Sequence, residues 1–234
     1  MPELLRPTVF DALPGIEAGL TLRGFAPAEL SRETVRARLA SAVGFDGVAS
    51  VGQVHRADVA TVSGPGHTDA HDGLVTDRRG LLLTVVAADC ALVLLADAEA
   101  GVVGACHSGW RSTVAEIVPR TVAAMRALGA APERIHAWTA PCISTDAFEV
   151  GEEVAEQFAA GEVVRRPEWP RPHVDLRAAL ARQLAAAGVP AARTELHPGC
   201  TMRETDRFYS YRAEGGTPGR MVGFIGMRAD ETTP

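Results

Sequence analysis

Lysine and asparagine are both absent from the 234-residue sequence, so all 23 basic residues are arginine. Without lysine, the protein cannot form a Schiff base with a substrate, and it cannot build a phosphate-binding loop that depends on a lysine side chain. Any anionic ligand must therefore be bound by arginine side chains or by backbone N–H groups. Arginine suits this role because its planar guanidinium can donate hydrogen bonds to two oxygens of one phosphate.

The sequence has few cysteines, no excess of basic residues and no long apolar run, and each of these features disfavours a class of protein. Its four cysteines, Cys90, Cys106, Cys142 and Cys200, are too few and too scattered for a disulfide framework. The net charge of −6 argues against a general nucleic-acid-binding protein. No apolar run approaches the roughly 20 residues of a membrane-spanning helix, and no secretion signal is recognisable. We therefore expect a cytoplasmic monomer that binds small molecules, with no nucleic acid and no membrane as partner.

The hydrophobic fraction of 47% and the length of the chain favour a single compact domain over residues 1–234. Short apolar runs rich in branched residues predict strands at residues 81–87, 92–96, 102–106, 134–140 and 221–227. The predicted strands and helices do not alternate strictly as they do in a βαβ protein. This pattern favours an α+β (mixed α/β) fold, in which mixed β-sheets pack together and are covered by helices.

Apolar periodicity and capping residues predict four helices, at residues 31–42, 112–128, 150–160 and 176–187. Ser31 and Asp175 are the expected N-caps of the first and the last of these helices. Pro119 falls inside the second helix and should kink or split it. Residues 64–71 and 165–173 are expected to form surface loops, because glycine, proline and polar residues dominate them.

Three side chains that can bind a metal lie at or near the ends of predicted strands. Cys90 follows the strand at 81–87, His107 follows the strand at 102–106, and His55 lies upstream in a segment with β-like alternation. Zinc accepts cysteine sulfur and histidine nitrogen, and a site with three protein ligands leaves a fourth position for water or substrate. Spacing alone makes this a weak candidate, because most single histidine and cysteine residues are structural.

Short motifs along the chain carry a family resemblance. They are Gln-Val-His at 53–55, Asp-Gly-Leu-Val-Thr at 72–76, Ala-Asp-Cys at 88–90, His-Ser-Gly-Trp-Arg at 107–111, Ala-Pro-Cys-Ile at 140–143, Phe-Glu-Val-Gly at 148–151, Cys-Thr at 200–201, Phe-Tyr-Ser-Tyr-Arg at 208–212 and Gly-Arg at 219–220. In this order they resemble the laccase-domain family, and the similarity covers roughly residues 15–228. Members of that family were named multicopper polyphenol oxidoreductases and later reassigned as purine nucleoside phosphorylases with adenosine deaminase activity.

The resemblance implies that His55, Cys90 and His107 bind one zinc ion, although a single copper ion could accept the same donors. It implies phosphorolysis of adenosine, inosine and S-methyl-5′-thioadenosine with inorganic phosphate, and deamination of adenosine by an activated water molecule. Cys90 and His107 are then catalytic residues, and Asp89 is the nearest candidate in sequence for the acid/base. Adjacent side chains on a strand point to opposite faces, so a structural hydrogen-bonding role for Asp89 is the alternative.

Three further residues are expected to contact the substrate. Arg23 and Arg111 are the candidates for phosphate binding, and His71 is expected at the entrance of the site. For Arg111, the alternative is a surface residue that stacks on Trp110. The aromatic residues that could stack on a purine, of which at least two are expected to serve packing instead, are Phe208, Tyr209 and Tyr211.

Other readings of the same residues stay open, although a multinuclear copper cluster is excluded because the seven histidines form no His-x-His pair. Cys90 could be a nucleophile with His107 as its base, in an amide hydrolase acting on cell-wall precursors or peptides. A polyphenol oxidoreductase with a single copper ion is another alternative. A closed structural zinc site is a third, and it would need a fourth protein ligand such as His71 or Cys142.

Overall fold

The computed structural model describes residues 4–216 and 218–229. Its strands, numbered in chain order, are β1 (Leu4–Leu5), β2 (Ile16–Thr21), β3 (Gly47–Val51), β4 (Val59–Thr61), β5 (Gly66–Thr68), β6 (Gly73–Thr76), β7 (Leu81–Ala87), β8 (Ala91–Asp97), β9 (Val102–Ser108), β10 (His136–Thr139), β11 (Val163–Val164), β12 (His173–Val174), β13 (Thr194–Leu196) and β14 (Met221–Met227). Its α-helices are α1 (Arg32–Val43), α2 (Trp110–Val114), α3 (Ile117–Ala127), α4 (Glu152–Ala155), α5 (Leu176–Ala186) and α6 (Tyr211–Glu214).

The strands form two six-stranded mixed sheets and a small two-stranded sheet. The first sheet has the order β1-β2-β14-β7-β3-β5, and β3 pairs in parallel with both β5 and β7. The second sheet has the order β13-β10-β8-β9-β6-β4, with parallel pairs β10–β13 and β4–β6 at its two edges. The remaining pairs are antiparallel, which confirms the predicted mixed sheets.

The two large sheets pack face to face, and helices cover their outer faces. All residues of the central strands β7, β8, β9 and β14 are buried, as strands covered on both faces require. Leu83 of β7 and Leu94 of β8 belong to the core between the sheets. On the outer faces, Leu82 of β7 packs with α1, and Leu95 of β8 packs with α3 and α5. This layering confirms the predicted α+β fold as one compact domain.

The helix caps that the sequence predicts are present. The Ser31 hydroxyl accepts a hydrogen bond from the Thr34 N–H at 3.1 Å at the start of α1, and Gly44 ends the helix with φ of 75°. The Asp175 carboxylate accepts a hydrogen bond from the Ala178 N–H at 3.0 Å at the start of α5. Both helices therefore begin where the sequence indicates.

Two helix predictions need correction. The predicted helix over 112–128 is split as expected, but the break lies at Glu116, whose φ of 62° is left-handed. Pro119 falls in the first turn of α3, where its missing N–H costs no helical hydrogen bond. The predicted helix over 150–160 is reduced to the single turn of α4, and Phe158 reaches its apolar cluster from the turn that follows.

Smaller differences concern the predicted loops and the strand at 134–140. Residues 64–71 contain the edge strand β5, and residues 165–173 end in β12. The predicted strand at 134–140 is confined to β10. No helix within residues 4–216 and 218–229 is long and apolar enough to cross a membrane.

Candidate metal centre

The path of the chain between the two sheets brings Cys90 and His107 together. Residues 88–90 connect β7 of the first sheet to β8 of the second, so Cys90 immediately precedes β8. In the antiparallel pair β8–β9, Leu92 lies opposite His107 and Ala91 lies opposite Ser108. The beginning of β8 and the end of β9 therefore place the thiol and the imidazole side by side, as the sequence predicted.

His55 reaches the same point from a loop, which corrects the expected β-like segment. β3 ends at Val51, and Gln53 and His55 both have left-handed φ values, 42° and 59°. Such values are uncommon for residues other than glycine and need support from the surroundings. The Gln53 side chain provides part of this support. Its amide NH₂ donates a hydrogen bond to the Val86 carbonyl in β7 at 2.6 Å, and its amide oxygen accepts one from the Val86 N–H at 2.7 Å.

Asp72, just before β6, gives the rest of that support and is the residue that the sequence analysis missed. Its side chain is fully buried, and its carboxylate accepts hydrogen bonds from the N–H groups of Val54, His55 and Arg56 at 2.8–3.0 Å. The same carboxylate lies 2.9 Å from Nδ1 of His107. One buried side chain therefore holds the loop of His55 and the ring of His107. The only sequence signal was its place at the start of the 72–76 motif.

Ligand atoms of His55, Cys90 and His107 all lie within 4.8 Å of one another. The two imidazole rings meet edge to face, with 4.8 Å between their centroids. Because Asp72 occupies Nδ1 of His107, Nε2 is the nitrogen left for a metal. His107 is buried and Cys90 is partly buried, whereas His55 is exposed, so the group opens to solvent on the His55 side.

Gly109 keeps space for this group. A Cβ atom on Gly109 would lie 3.0 Å from both the Cys90 Sγ and the His55 Nδ1, and 3.4 Å from a ring carbon of His107. A larger residue here would press on all three side chains. The donor set, two nitrogens and one sulfur around an open side, fits a metal ion such as zinc. Within the described residues, no fourth histidine, cysteine or carboxylate joins this group, so neither His71 nor Cys142 completes a closed structural site.

The environment sets opposite protonation preferences for the two histidines. Burial opposes a charge on His107, but hydrogen bonds with Asp72 and Cys90 outweigh it and raise the pKa of His107 to about 9. Burial and the neighbouring His107 and Arg111 lower the pKa of His55. Burial also opposes ionisation of Asp72, but hydrogen bonds from His107 and from the backbone hold its pKa below the usual range. Asp72 therefore remains an acceptor.

A cavity of about 360 Å³ opens above the three side chains. One part of its wall is apolar and aromatic, and it consists of Trp110, Ile143, Phe148, Leu176 and Tyr211. Another part is formed by Arg32, Arg212 and Arg220. Among the described residues, none of these three arginines forms an ion pair with a carboxylate. The cavity can therefore accept a ligand that combines a flat apolar ring with an anionic group.

Comparison with known proteins agrees with this geometry. The sequence profile of the family described as multi-copper polyphenol oxidoreductase laccase matches residues 28–228. The chain belongs to this family. It is 47% identical over 197 residues to a purine nucleoside phosphorylase of Deinococcus radiodurans, covering 82% of this chain and 76% of that protein. It is 42% identical over 155 residues to adenosine deaminase RL5 of an unknown prokaryotic organism, covering 64% of this chain and 59% of that protein.

A solved structure gives the same fold. The crystal structure of YlmD from Geobacillus stearothermophilus superimposes with a TM-score of 0.84 at 30% identity, covering 93% of each chain. The family name refers to several copper ions. Within the part of the chain that the structure describes, one group of side chains that could hold a metal ion is found.

Asp89 lines the cavity beside Cys90, in a left-handed conformation with φ of 83°. Its two carboxylate oxygens accept hydrogen bonds from the Thr201 hydroxyl at 2.6 Å and from the Arg212 N–H at 2.7 Å. Its side chain therefore ties the turn that carries Cys90 to the C-terminal part of the chain.

The three predicted substrate-binding residues lie outside the cavity wall. Arg23 lines a separate surface depression, where it pairs with Glu214 at 2.8 Å and stacks on Tyr209. Arg111 is exposed and stacks on the Trp110 ring at 4.2 Å. The ring of His71 contacts the carbonyl of Asp69 at 2.6 Å.

The cationic part of the wall is formed instead by arginines to which the sequence analysis gave no role. Arg212 and Arg220 belong to motifs that carry the family resemblance, so a signal for them was present. Arg32, at the start of α1, had none, since it resembles any solvent-facing helix residue. Among the aromatic candidates, Phe208 and Tyr209 are buried, as expected for packing, whereas Tyr211 is exposed and lines the cavity.

Proposed function

We propose that the protein is a zinc-dependent purine nucleoside phosphorylase that acts on adenosine, inosine and S-methyl-5′-thioadenosine with inorganic phosphate, and that it also deaminates adenosine. One observation carries the proposal: the His55–Cys90–His107 group lies at a cavity with an aromatic wall and with three arginines that form no ion pair with a carboxylate among the described residues. The relatives named purine nucleoside phosphorylase and adenosine deaminase support both activities.

The two parts of the wall suggest where each substrate binds. The purine stacks among Phe148, Trp110 and Tyr211, because aromatic side chains bind flat rings well. Phosphate binds Arg32 and Arg220. Burial lowers the pKa of Arg220, and the nearby charge of Arg32 lowers it further, which supports the closeness of the two groups. This pair replaces Arg23 and Arg111 as the proposed phosphate site.

In phosphorolysis, a phosphate oxygen attacks C1′ of the ribose and the bond between C1′ and the purine nitrogen breaks. The arginine pair orients the phosphate and stabilises its charge as the new bond forms. The departing purine takes up a proton, and the apolar wall keeps the ring in place during this step. A zinc ion held by the three side chains would supply a Lewis acid beside the purine, both for phosphorolysis and for the attack of water on C6 in deamination.

We keep Cys90 and His107 as metal ligands of the catalytic centre and assign Asp89 a place beside it. Both oxygens of Asp89 already accept hydrogen bonds, which supports a role in positioning the Cys90 turn. Its role as acid/base stays a prediction, because a carboxylate oxygen has lone pairs for a further partner.

The test is to incubate the zinc-loaded protein with adenosine, with and without phosphate, and to separate adenine, inosine and hypoxanthine by chromatography. We expect adenine only when phosphate is present, and inosine in both conditions. Cys90→Ala should abolish both products, whereas Cys106→Ala should retain them, because Cys106 of β9 is buried in the apolar cluster between the second sheet and its helices. If the loaded protein consumes no nucleoside, or if Cys90→Ala is as active as the wild type, the proposal is wrong.

The contact between Cys90 and His107 also favours a second candidate, an amide hydrolase with a Cys–His pair. The two functions differ in how Cys90 behaves. A metal ligand is protected from iodoacetamide while about one zinc ion is bound per chain, whereas a nucleophile is alkylated readily and keeps its activity in the presence of a chelator. Metal analysis of the purified protein also separates zinc from a single copper ion.

A further inference from the structure

A second chamber of about 310 Å³ shares part of its wall with the cavity of the candidate metal centre. Arg32, Arg220 and Val86 line both spaces. A phosphate bound to the two arginines can therefore be reached from the nucleoside cavity and from the chamber.

Most of the other side chains that line the chamber are apolar, and Ser31 is the polar side chain among them. The remaining wall comes mainly from the segment before α1, from α1 itself and from β14, and includes Ala26, Pro27, Leu30, Val35 and Val222. Among the described residues that line it, none is acidic. Leu30 is 38% exposed and is one of the few large hydrophobic side chains that the described surface presents to solvent. An apolar space of this size, next to two cations, is at the lower end of the range for small-molecule sites.

The positive charges of Arg32 and Arg220 favour binding of an anion at the wall that the two cavities share. Arg220 is partly buried, and its guanidinium donates hydrogen bonds to the carbonyls of Pro218 and Gly219. Neither Arg220 nor Arg32 forms an ion pair with a carboxylate among the described residues, and burial followed by the charge of Arg32 lowers the pKa of Arg220. A bound dianion would relieve this repulsion.

We propose that the arginine pair and the chamber together bind organic phosphates: the phosphate group lies between Arg32 and Arg220, and a short apolar substituent fills the chamber. The proposal rests on the phosphate position given under Proposed function. It adds a ligand class, alkyl phosphates and phosphonates, which a site built for inorganic phosphate alone would exclude.

The test uses the zinc-loaded protein and the series methyl-, ethyl-, propyl- and butylphosphonate, with binding measured by calorimetry in the absence of nucleoside. Burial of each methylene should strengthen binding by up to roughly fourfold until the chamber is full. Saturating inorganic phosphate should displace every member of the series, because the head groups share one site. Affinity that does not rise with chain length, or binding that phosphate does not displace, would overturn the proposal.

Two variants distinguish the contribution of the phosphonate group to binding from that of the alkyl chain. Leu30→Ser should flatten the dependence on chain length while leaving methylphosphonate binding nearly unchanged. Arg32→Gln should weaken all members by about tenfold or more. Arg38→Gln is the matched control, because Arg38 lies on the same helix but stacks on Phe25 and does not line the chamber.

The outcome is independent of catalysis. If affinity rises with chain length in a protein that consumes no nucleoside, the proposed function is wrong, but the chamber still binds the apolar substituent. If the protein catalyses phosphorolysis but phosphonate affinity does not rise with chain length, only the proposed binding of the substituent in the chamber is wrong. The same conclusion follows if Leu30→Ser leaves the dependence of affinity on chain length unchanged.

Discussion

At the scale of single residues, Asp72 links two side chains of the candidate metal centre. Its carboxylate is fully buried, yet it accepts hydrogen bonds from three consecutive N–H groups and lies within hydrogen-bond distance of the ring of His107. Those partners hold the left-handed backbone of His55, and they leave Nε2 as the His107 nitrogen on the side of Cys90 that a metal could use. In metal sites generally, such supporting carboxylates affect metal affinity by one to two orders of magnitude.

We therefore expect Asp72→Asn to weaken zinc binding by about 10- to 100-fold, because the amide NH₂ cannot accept the hydrogen bonds that one carboxylate oxygen now accepts. Zinc affinity is measured by competition with a chromogenic chelator. Asp97→Asn is the control, since Asp97 is also fully buried and hydrogen-bonded but lies at the far end of β8. Wild-type zinc affinity in Asp72→Asn would mean that Asp72 supports the fold alone.

At the scale of elements, each strand and helix follows from its own local pattern, with tertiary packing deciding the exceptions. The continuous apolar runs became β7, β8 and β9 because each is covered on both faces. α5 begins where Asp175 caps it, and its apolar stripe meets the second sheet. The turn of α4 is shorter than its sequence suggests, because its neighbouring apolar residues pack from turns instead.

The cap of α5 gives a direct test of this local control. Asp175→Ala removes the acceptor of the Ala178 N–H and should lower the free energy of unfolding by about 1 kcal/mol. Asp175→Asn retains a side-chain oxygen at the same position and should lose much less. Urea denaturation followed by circular dichroism measures both variants. Equal losses in the two would show that charge, rather than the hydrogen bond, stabilises the helix.

At the scale of the whole molecule, the metal centre joins parts of the chain that lie far apart in sequence. His55 follows β3 of the first sheet, Cys90 lies on the crossing between the sheets, and His107 belongs to the second sheet. A metal ion bound to all three would stabilise the packing of one sheet on the other. Such a ligand, which binds the folded state preferentially, raises the stability of the whole domain.

Zinc should therefore raise the melting temperature, and the increase should grow between pH 7 and pH 9. In the metal-free protein the pKa of His107 is raised to about 9, so zinc must displace its proton at neutral pH. The raised pKa also means that the His107–Asp72 pair stabilises the metal-free fold fully below about pH 6.5, and that this contribution is lost as the pH rises through 9. The two statements describe the same proton release, and it enlarges the zinc-induced shift as the pH rises.

Differential scanning fluorimetry with and without zinc, at several pH values, measures this shift. Cys90→Ala should show little response to zinc at any pH, and Cys106→Ala should respond like the wild type. A shift that does not depend on pH would contradict the assignment of His107 as a ligand.

The sequence by itself determined the chemistry that this protein can use. The absence of lysine leaves arginine to bind anions, the motifs identify His55, Cys90 and His107, and the apolar runs predict the central strands. The strand predictions succeed because residue type and periodicity act over short stretches of chain.

Only the tertiary structure decided which side chains surround the metal centre. Asp72 reaches His107 across 35 positions of sequence, and Arg32 and Arg220 meet at one cavity from opposite ends of the chain. Arg23 and Arg111, equally plausible in sequence, lie outside it. Convergence of this kind depends on how two sheets pack and on which loops then meet, and no local pattern specifies that long-range arrangement.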